Sequence, residues 1–142
     1  MIDLNYSLRI AYYSALSDIG IPVYYQTLPP TVTPDNYIVF RSIDSSDLST
    51  KNTADTSTSI TVEIHTKSDI VNRGLNADTI ARDVYDKIYP NKHDNLVISG
   101  GQILSTEVVS DSVQNFSLNA NEAYISRYII FKHIIYQSQD IS

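Results

Sequence analysis

The sequence predicts an α/β protein of the α+β kind, a mainly antiparallel sheet flanked by two helices in the order α-β-β-β-α-β-β. Three observations point to it. Residues 5–19 and about 76–89 repeat apolar side chains at helical spacing, and residues 58–66 alternate apolar with polar side chains at a period of two. Residues 122–137 are apolar on both parities, as in a strand covered on both faces. At 142 residues the chain has the length of one ordinary domain, and residues 1–142 are read as a single domain around one core.

The first helix is expected over residues 5–19. Ile2, Leu4, Leu8, Ala11, Ala15, Leu16 and Ile19 lie on one face, Asp3 or Asn5 is available as N-cap, and Gly20 is the stop. Pro22 forbids continuation, and Val23, Tyr24 and Tyr25 have the β-branched and aromatic character of a short strand. Residues 28–34 read as a proline-rich turn. Residues 36–43 are apolar on both faces at their centre and are expected to form an inner strand.

Residues 44–57 are then so poor in apolar side chains that they read as a long polar loop or a mobile hairpin tip, with Leu48 as its natural anchor against a neighbour. In residues 58–66, Ile60, Val62 and Ile64 share one face of a half-buried strand, and Ser59, Thr61, Glu63 and His65 share the other. Ala77, Ile80, Ala81, Val84 and Ile88 mark the second helix, from about residue 72 or 76 to 89, ended by Pro90. A polar turn at 91–95, a short strand at 96–98, a Gly100-Gly101 break and a strand over 102–110 follow. Residues 111–121 read as a polar connection to the long last strand.

Composition narrows the function. A net charge of −6 without clustered Lys or Arg opposes general nucleic-acid binding, and the absence of cysteine removes disulfides, thiol nucleophiles and thiolate metal sites. The N-terminus lacks the basic start and apolar run of a signal peptide, and no stretch approaches the roughly 20 apolar residues of a membrane helix. A soluble cytoplasmic protein without membrane contact is the expectation.

No catalytic, cofactor-binding or metal-ligating residue stands out, and no enzyme activity is expected. His65, His93 and His133 are far apart and without the short-spaced partners of zinc sites, so structural or surface roles are expected, with the shared face of His65 and Glu63 as the one weak pair. No Gly-x-Ser-x-Gly occurs, and Ser99-Gly100-Gly101 matches neither a P-loop nor a dinucleotide fingerprint. The carboxylate pairs Asp44 with Asp47 and Asp83 with Asp86 suit solvated loop and helix faces. The eleven tyrosines are the unusual feature, and Tyr6, Tyr12, Tyr13, Tyr24 and Tyr25 gather near the N-terminus. Packing within the domain is their ordinary use and protein contact their functional one.

The order of elements resembles the tail terminator, or tail-completion, family of long-tailed bacteriophages. The resemblance spans nearly the whole chain. It is carried by a helix ending in Gly20-Ile21-Pro22-Val23-Tyr24, by Asn36-Tyr37-Ile38-Val39-Phe40, and by a polar loop before Ile60-Thr61-Val62-Glu63-Ile64-His65. A helix with Asn76-Ala77-Asp78-Thr79-Ile80-Ala81 and Val84-Tyr85 ahead of a sheet-forming C-terminal half completes it. The resemblance implies a virion protein in the tail or neck, synthesised in the host cytoplasm. It implies a homo-hexameric ring contacting tail tube and head connector proteins, with a channel that DNA passes without specific binding. It carries no active-site residue. Asp44, Asp47, Leu48 and Asp55 are the candidate channel or docking loop. A head-closure or other neck connector is the neighbouring alternative, and a small enzyme or ligand-binding domain the alternative of another class.

Overall fold

The computed structural model describes residues 4–27, 35–47, 55–69, 75–88, 96–117 and 122–137. Helix α1 is Leu4–Ser17, followed by strands β1 (Val23–Tyr25), β2 (Asn36–Asp47) and β3 (Asp55–Asp69), helix α2 (Leu75–Ile88), and strands β4 (Gly101–Ser117) and β5 (Glu122–Gln137). The order α-β-β-β-α-β-β is the one the sequence predicts. The five strands form one sheet in the spatial order β1-β2-β3-β5-β4, antiparallel throughout except for the parallel pair β1 and β2.

α1 packs through Leu8, Tyr12 and Leu16, all fully buried one turn apart, with Ala11 and Ala15 beside them. The helix ends two residues before the expected Ile19. Asp18, Ile19 and Gly20 donate to carbonyls three residues back, which tightens the last turn, and Gly20 then takes φ +95°, a conformation disfavoured for any side chain. α2 supplies Ile80, Ala81, Val84 and Ile88 to the same core, which is closed below by Ile38 and Phe40 of β2, Ile60, Val62 and Ile64 of β3, and Ile129, Phe131 and Ile135 of β5. The two helices therefore cover one face of the sheet. Each fully buried Ile, Leu or Phe contributes about 1.5–3 kcal/mol, so these facing rows dominate the fold's stability.

Three expectations need correction. Part of the polar stretch 44–57 is strand. β2 continues to Asp47 and β3 begins at Asp55, paired as Asp44 with Ser59, Ser45 with Thr58, Ser46 with Ser57 and Asp47 with Thr56, after a register shift between Ser42 and Asp44. Residues 48–54, Leu48 among them, lie outside the described residues, as do the predicted turns at 28–34 and 91–95. The expected connection at 111–121 is likewise strand as far as Ser117, paired from Asp111 with Ile129 to Ser117 with Ala123. In both places a long neighbouring strand supplies the backbone partners. On the outermost strand β4 the polar side chains of Ser112, Gln114 and Asn115 remain exposed, so their polarity does not oppose pairing. Residues 96–98, finally, form no strand. β4 starts only after Gly100, which turns the chain at φ +80°.

Candidate functional site

The structure gathers three of the four residues of the predicted loop at one end of the sheet. Asp44 and Asp47 lie at the end of β2, and Asp55 opens β3 opposite Tyr136 of β5. That end also holds the start of β4, where Gly101 pairs with Gln137.

On the sheet face away from the helices, His65 sits opposite Ser126 in register and between two tyrosine rings. Its imidazole stacks on Tyr37 at 4.8 Å and on Tyr124 at 5.9 Å, while the two phenol oxygens meet at 3.0 Å. Tyr128 packs edge-on against His65 at 6.0 Å, and Tyr24 edge-on against Tyr37 at 6.3 Å. The sequence pattern places His65 on the exposed face of its strand. Instead it is buried, because aromatic side chains of β2 and β5 flank it on that face.

Glu63 accepts from His65 Nε2 at 3.1 Å, and its other carboxylate oxygen lies 2.5 Å from Arg41 Nε. Burial raises the Glu63 carboxyl, but the His65 hydrogen bond and the Arg41 charge outweigh it and hold the group below the usual carboxylate range. On the other side of the ring, Nδ1 is hydrogen-bonded to the Ser126 hydroxyl at 2.8 Å. Ser126, His65 and Glu63 thus form a connected chain, and register alone, invisible in the sequence, brings Ser126 to it. The chain resembles a hydrolytic triad only in composition. Ser126 is 1% exposed, the serine is on Nδ1 and the carboxylate on Nε2, the reverse of the serine protease arrangement, and both ring nitrogens are engaged. The same engagement leaves no lone pair of His65 for a metal. Among the described residues no group of three or more His, Asp or Glu side chains has the arrangement of a metal site.

Under the helices, His133 is fully buried. Tyr12 of α1 hydrogen-bonds its Nε2, and Thr106 of β4 its Nδ1 at 3.0 Å. Burial pushes the Tyr12 phenol well up and the His133 imidazole down to about 4. Tyr12 therefore donates and His133 stays neutral, with Nδ1–H donating to Thr106. The network ties α1 to two strands.

A second polar cluster ties α2 to the sheet. Arg127 donates from Nε and Nη2 to the two oxygens of Asp111 at 2.9 and 2.7 Å, and from Nη1 to Asp78 at 3.1 Å. Tyr85 donates to Asp111 at 2.7 Å. The Arg127 hydrogen bond holds Asp111 below its ordinary value, and burial with the Asp111 bond pushes Tyr85 up to about 12. Replacing Arg127 by Met is expected to remove about 2 kcal/mol, the weight of hydrogen bonds to charged groups, with the lost bidentate geometry as cause. Urea denaturation measures it, and an Asp111→Asn variant should lose most of the same increment if the pair is what matters.

The exposed large apolar side chains fall into two groups. Tyr6, Ile10 and Tyr13 form a second stripe on α1, away from the core, and Val97 lies 89% exposed next to it. Tyr6, Ser7, Ile10, Ala11, Ser14, Val97 and Ser99 line a shallow groove of about 360 Å³. Arg9 bridges the rings of Tyr6 and Tyr25, at 4.9 and 4.7 Å from their centroids, so this surface continues to β1. Leu104, Val109 and Val113 form the other group on β4 and are each more than half exposed. The tyrosines thus divide between roles: Tyr12 is core, Tyr37 and Tyr124 pack the open sheet face, and Tyr6 and Tyr13 remain outside.

No protein-family model and no curated protein sequence matches the chain. Among solved structures, a chain from the virion of the native gene transfer agent (GTA) particle matches with a TM-score of 0.71 and 19% identity, covering 96% of this chain and 99% of that one. At that identity the likeness is one of fold, and it extends over nearly the whole of both chains.

Proposed function

We propose that the chain is a structural, non-enzymatic subunit of a phage-like virion, and within it a tail terminator. In this reading a homo-hexameric ring caps the tail tube, joins it to the head connector proteins, and lets DNA pass without specific binding. The observation that carries the reading is the likeness in fold, end to end, to a chain of a gene transfer agent virion. The exposed apolar side chains clustered at Tyr6, Ile10 and Val97 support an assembling role, since clustered apolar surface marks protein contacts.

The sheet end with Asp44, Asp47 and Asp55 is the candidate channel wall, and Leu48 the candidate docking residue. Each chain carries a net −6, and a basic wall would hold DNA through counterion release, whereas an acidic one repels it over only about 8 Å at physiological salt. DNA then slides without sticking.

Electron cryomicroscopy of particles carrying a tagged copy is expected to place the protein at the junction of tube and head. Absence from purified particles would overturn the virion reading, and density elsewhere would overturn the terminator reading. Exchanging Asp44, Asp47 and Asp55 for lysine is expected to spare assembly and impair DNA delivery. Normal delivery would remove the three from the channel, and failed assembly would assign them to a protein contact.

A further inference from the structure

We propose that the outer edge of β4 over residues 110–117 adds as a strand to the free edge of β2 over residues 41–47 in a second copy of the chain, so that one sheet runs from copy to copy. Closure of that sheet rests on the ring reading above, whereas the contact rests on the two edges themselves. β1 is only three residues long and pairs with β2 from Ile38 to Phe40. Its last bond runs from the Gln26 N–H to the Phe40 carbonyl, and Gln26 then takes φ +72°, which turns the chain out of the strand. Beyond Phe40, β2 therefore has a strand partner only on its β3 side among the described residues. Its other side presents backbone donors and acceptors as far as Asp47.

The other free edge is β4, at the far side of the sheet. Open edges are ordinarily blunted by Lys, by Pro or by bulges. β4 contains no Lys, Arg or Pro, and its two register shifts, between Ile103 and Ser105 and between Val108 and Ser110, both fall in its first half. From Ser110 to Ser117 it pairs with β5 without interruption, and Ser110, Ser112, Gln114 and Asn115 are exposed. The one charge in this run, Asp111, is bound by Arg127 of the same chain and brings no unpaired carboxylate to a neighbour. A second copy is the partner because the two open edges are complementary in length and direction. β2 is antiparallel to β3, β3 to β5 and β5 to β4, so β2 and β4 run in opposite directions. Setting one copy's β4 beside the next copy's β2 thus makes an antiparallel pair.

Register sets how the copies are offset. Through the intervening pairs of β3 and β5, Arg41 of β2 is level with Ser110 of β4, and Asp47 with Ile103. The free part of β2 therefore lies level with the bulged half of β4. Meeting the regular half shifts each copy along the strands by about six to seven residues, roughly 20 Å, while the four strands from β2 to β4 span roughly 19 Å across. The strands are then tilted by about 45°, close to the tilt of a sheet that closes on itself. Two different edges in contact make a heterologous interface, which repeats from copy to copy and closes into a ring when the rotation allows.

The chain has no cysteine, so introduced pairs report the contact directly. Ser45→Cys is combined in one chain with Ser112→Cys, Val113→Cys or Gln114→Cys, and separately with Thr106→Cys, a position level with Ser45 inside the sheet. Light scattering across a concentration series is expected to show that the wild type assembles. Oxidation of the assembled variants should then give a ladder of covalent multimers with a partner among residues 112–114, and none with Thr106→Cys. Ser112→Pro and Val113→Pro, made separately, remove neighbouring amides, of which one faces β5 and the other faces outward. The outward one is expected to keep the fold by circular dichroism and to weaken assembly roughly 10-fold. Cross-linking through Thr106→Cys alone overturns the offset pairing. Assembly with no cross-link from residues 112–114, or with both proline variants folded and assembling like the wild type, overturns the edge contact while leaving the ring standing. A wild type that stays monomeric at every concentration overturns the self-contact. The virion reading is judged separately, by the presence of the protein in particles.

Discussion

Acidification from pH 6.5 to about 4 is expected to remove on the order of 3 kcal/mol of stability through His133 alone. The sign follows from proton binding. The folded state holds the imidazole neutral down to about 4, while the unfolded chain takes up a proton near 6.5, so the unfolded state binds more protons between these values. Stability is full above the unfolded value and falls as the pH drops through the window. Glu63 and Asp111 act in a lower range, because their folded carboxyls lie below 4.5 and 3.8, and their contributions disappear only as the pH falls beneath those values. Two stages of acid destabilisation are therefore expected. Denaturant titrations across this range measure the first, and His133→Gln should flatten it while lowering stability at neutral pH. A wild type whose stability is constant down to pH 4 would contradict the buried neutral imidazole.

Phe131→Ala is expected to cost about 3–5 kcal/mol, the usual range for emptying a buried aromatic site. Phe131 has no exposed surface, lies between Ile60 and Val108 in register, and meets the Tyr85 ring edge-on at 5.7 Å. It is thus the point where α2, β3, β4 and β5 share packing. For a domain of this length each kcal/mol lowers Tm by roughly 3–5 °C, so a drop of at least about 10 °C is anticipated. Val109→Ala on the exposed edge is the control, with a change within about 0.5 kcal/mol in the monomer. A Phe131→Ala protein that melted within a few degrees of the wild type would mean that its site can collapse, and the facing rows would not be the dominant packing unit.

Several elements were legible in the residues themselves. The spacing of Leu8, Tyr12's neighbours Ala11 and Ala15, and Leu16 declares α1 because a helix presents every third or fourth residue to one side. Ile60, Val62 and Ile64 declare β3 by strict alternation, and residues 122–137 match β5 from Glu122 to Gln137. These signals are local, since each depends on the chain's own geometry and on apolar side chains that must leave water. The nature of the candidate chemistry was partly legible too. His65 and Glu63 are two residues apart on a strand and so share a face, and they are hydrogen-bonded.

What the sequence determined by itself was the kind and order of the main elements and the row of side chains each contributes to the core. Tertiary structure decided the rest. Insertion of β5 between β3 and β4 brings Ser126 to His65 and Thr106 to His133, partners 61 and 27 residues away in sequence. The same neighbours extend β2, β3 and β4 into segments whose polarity predicts loops, because a strand is held by backbone bonds to another strand whatever its side chains are. Burial of His65 likewise depends on tyrosines of β2 and β5, and no periodicity along β3 records them. Local geometry is written in nearest neighbours along the chain, while a side chain's surroundings are set by which strands lie beside it, and that order is fixed only when the whole sheet and its helices pack together.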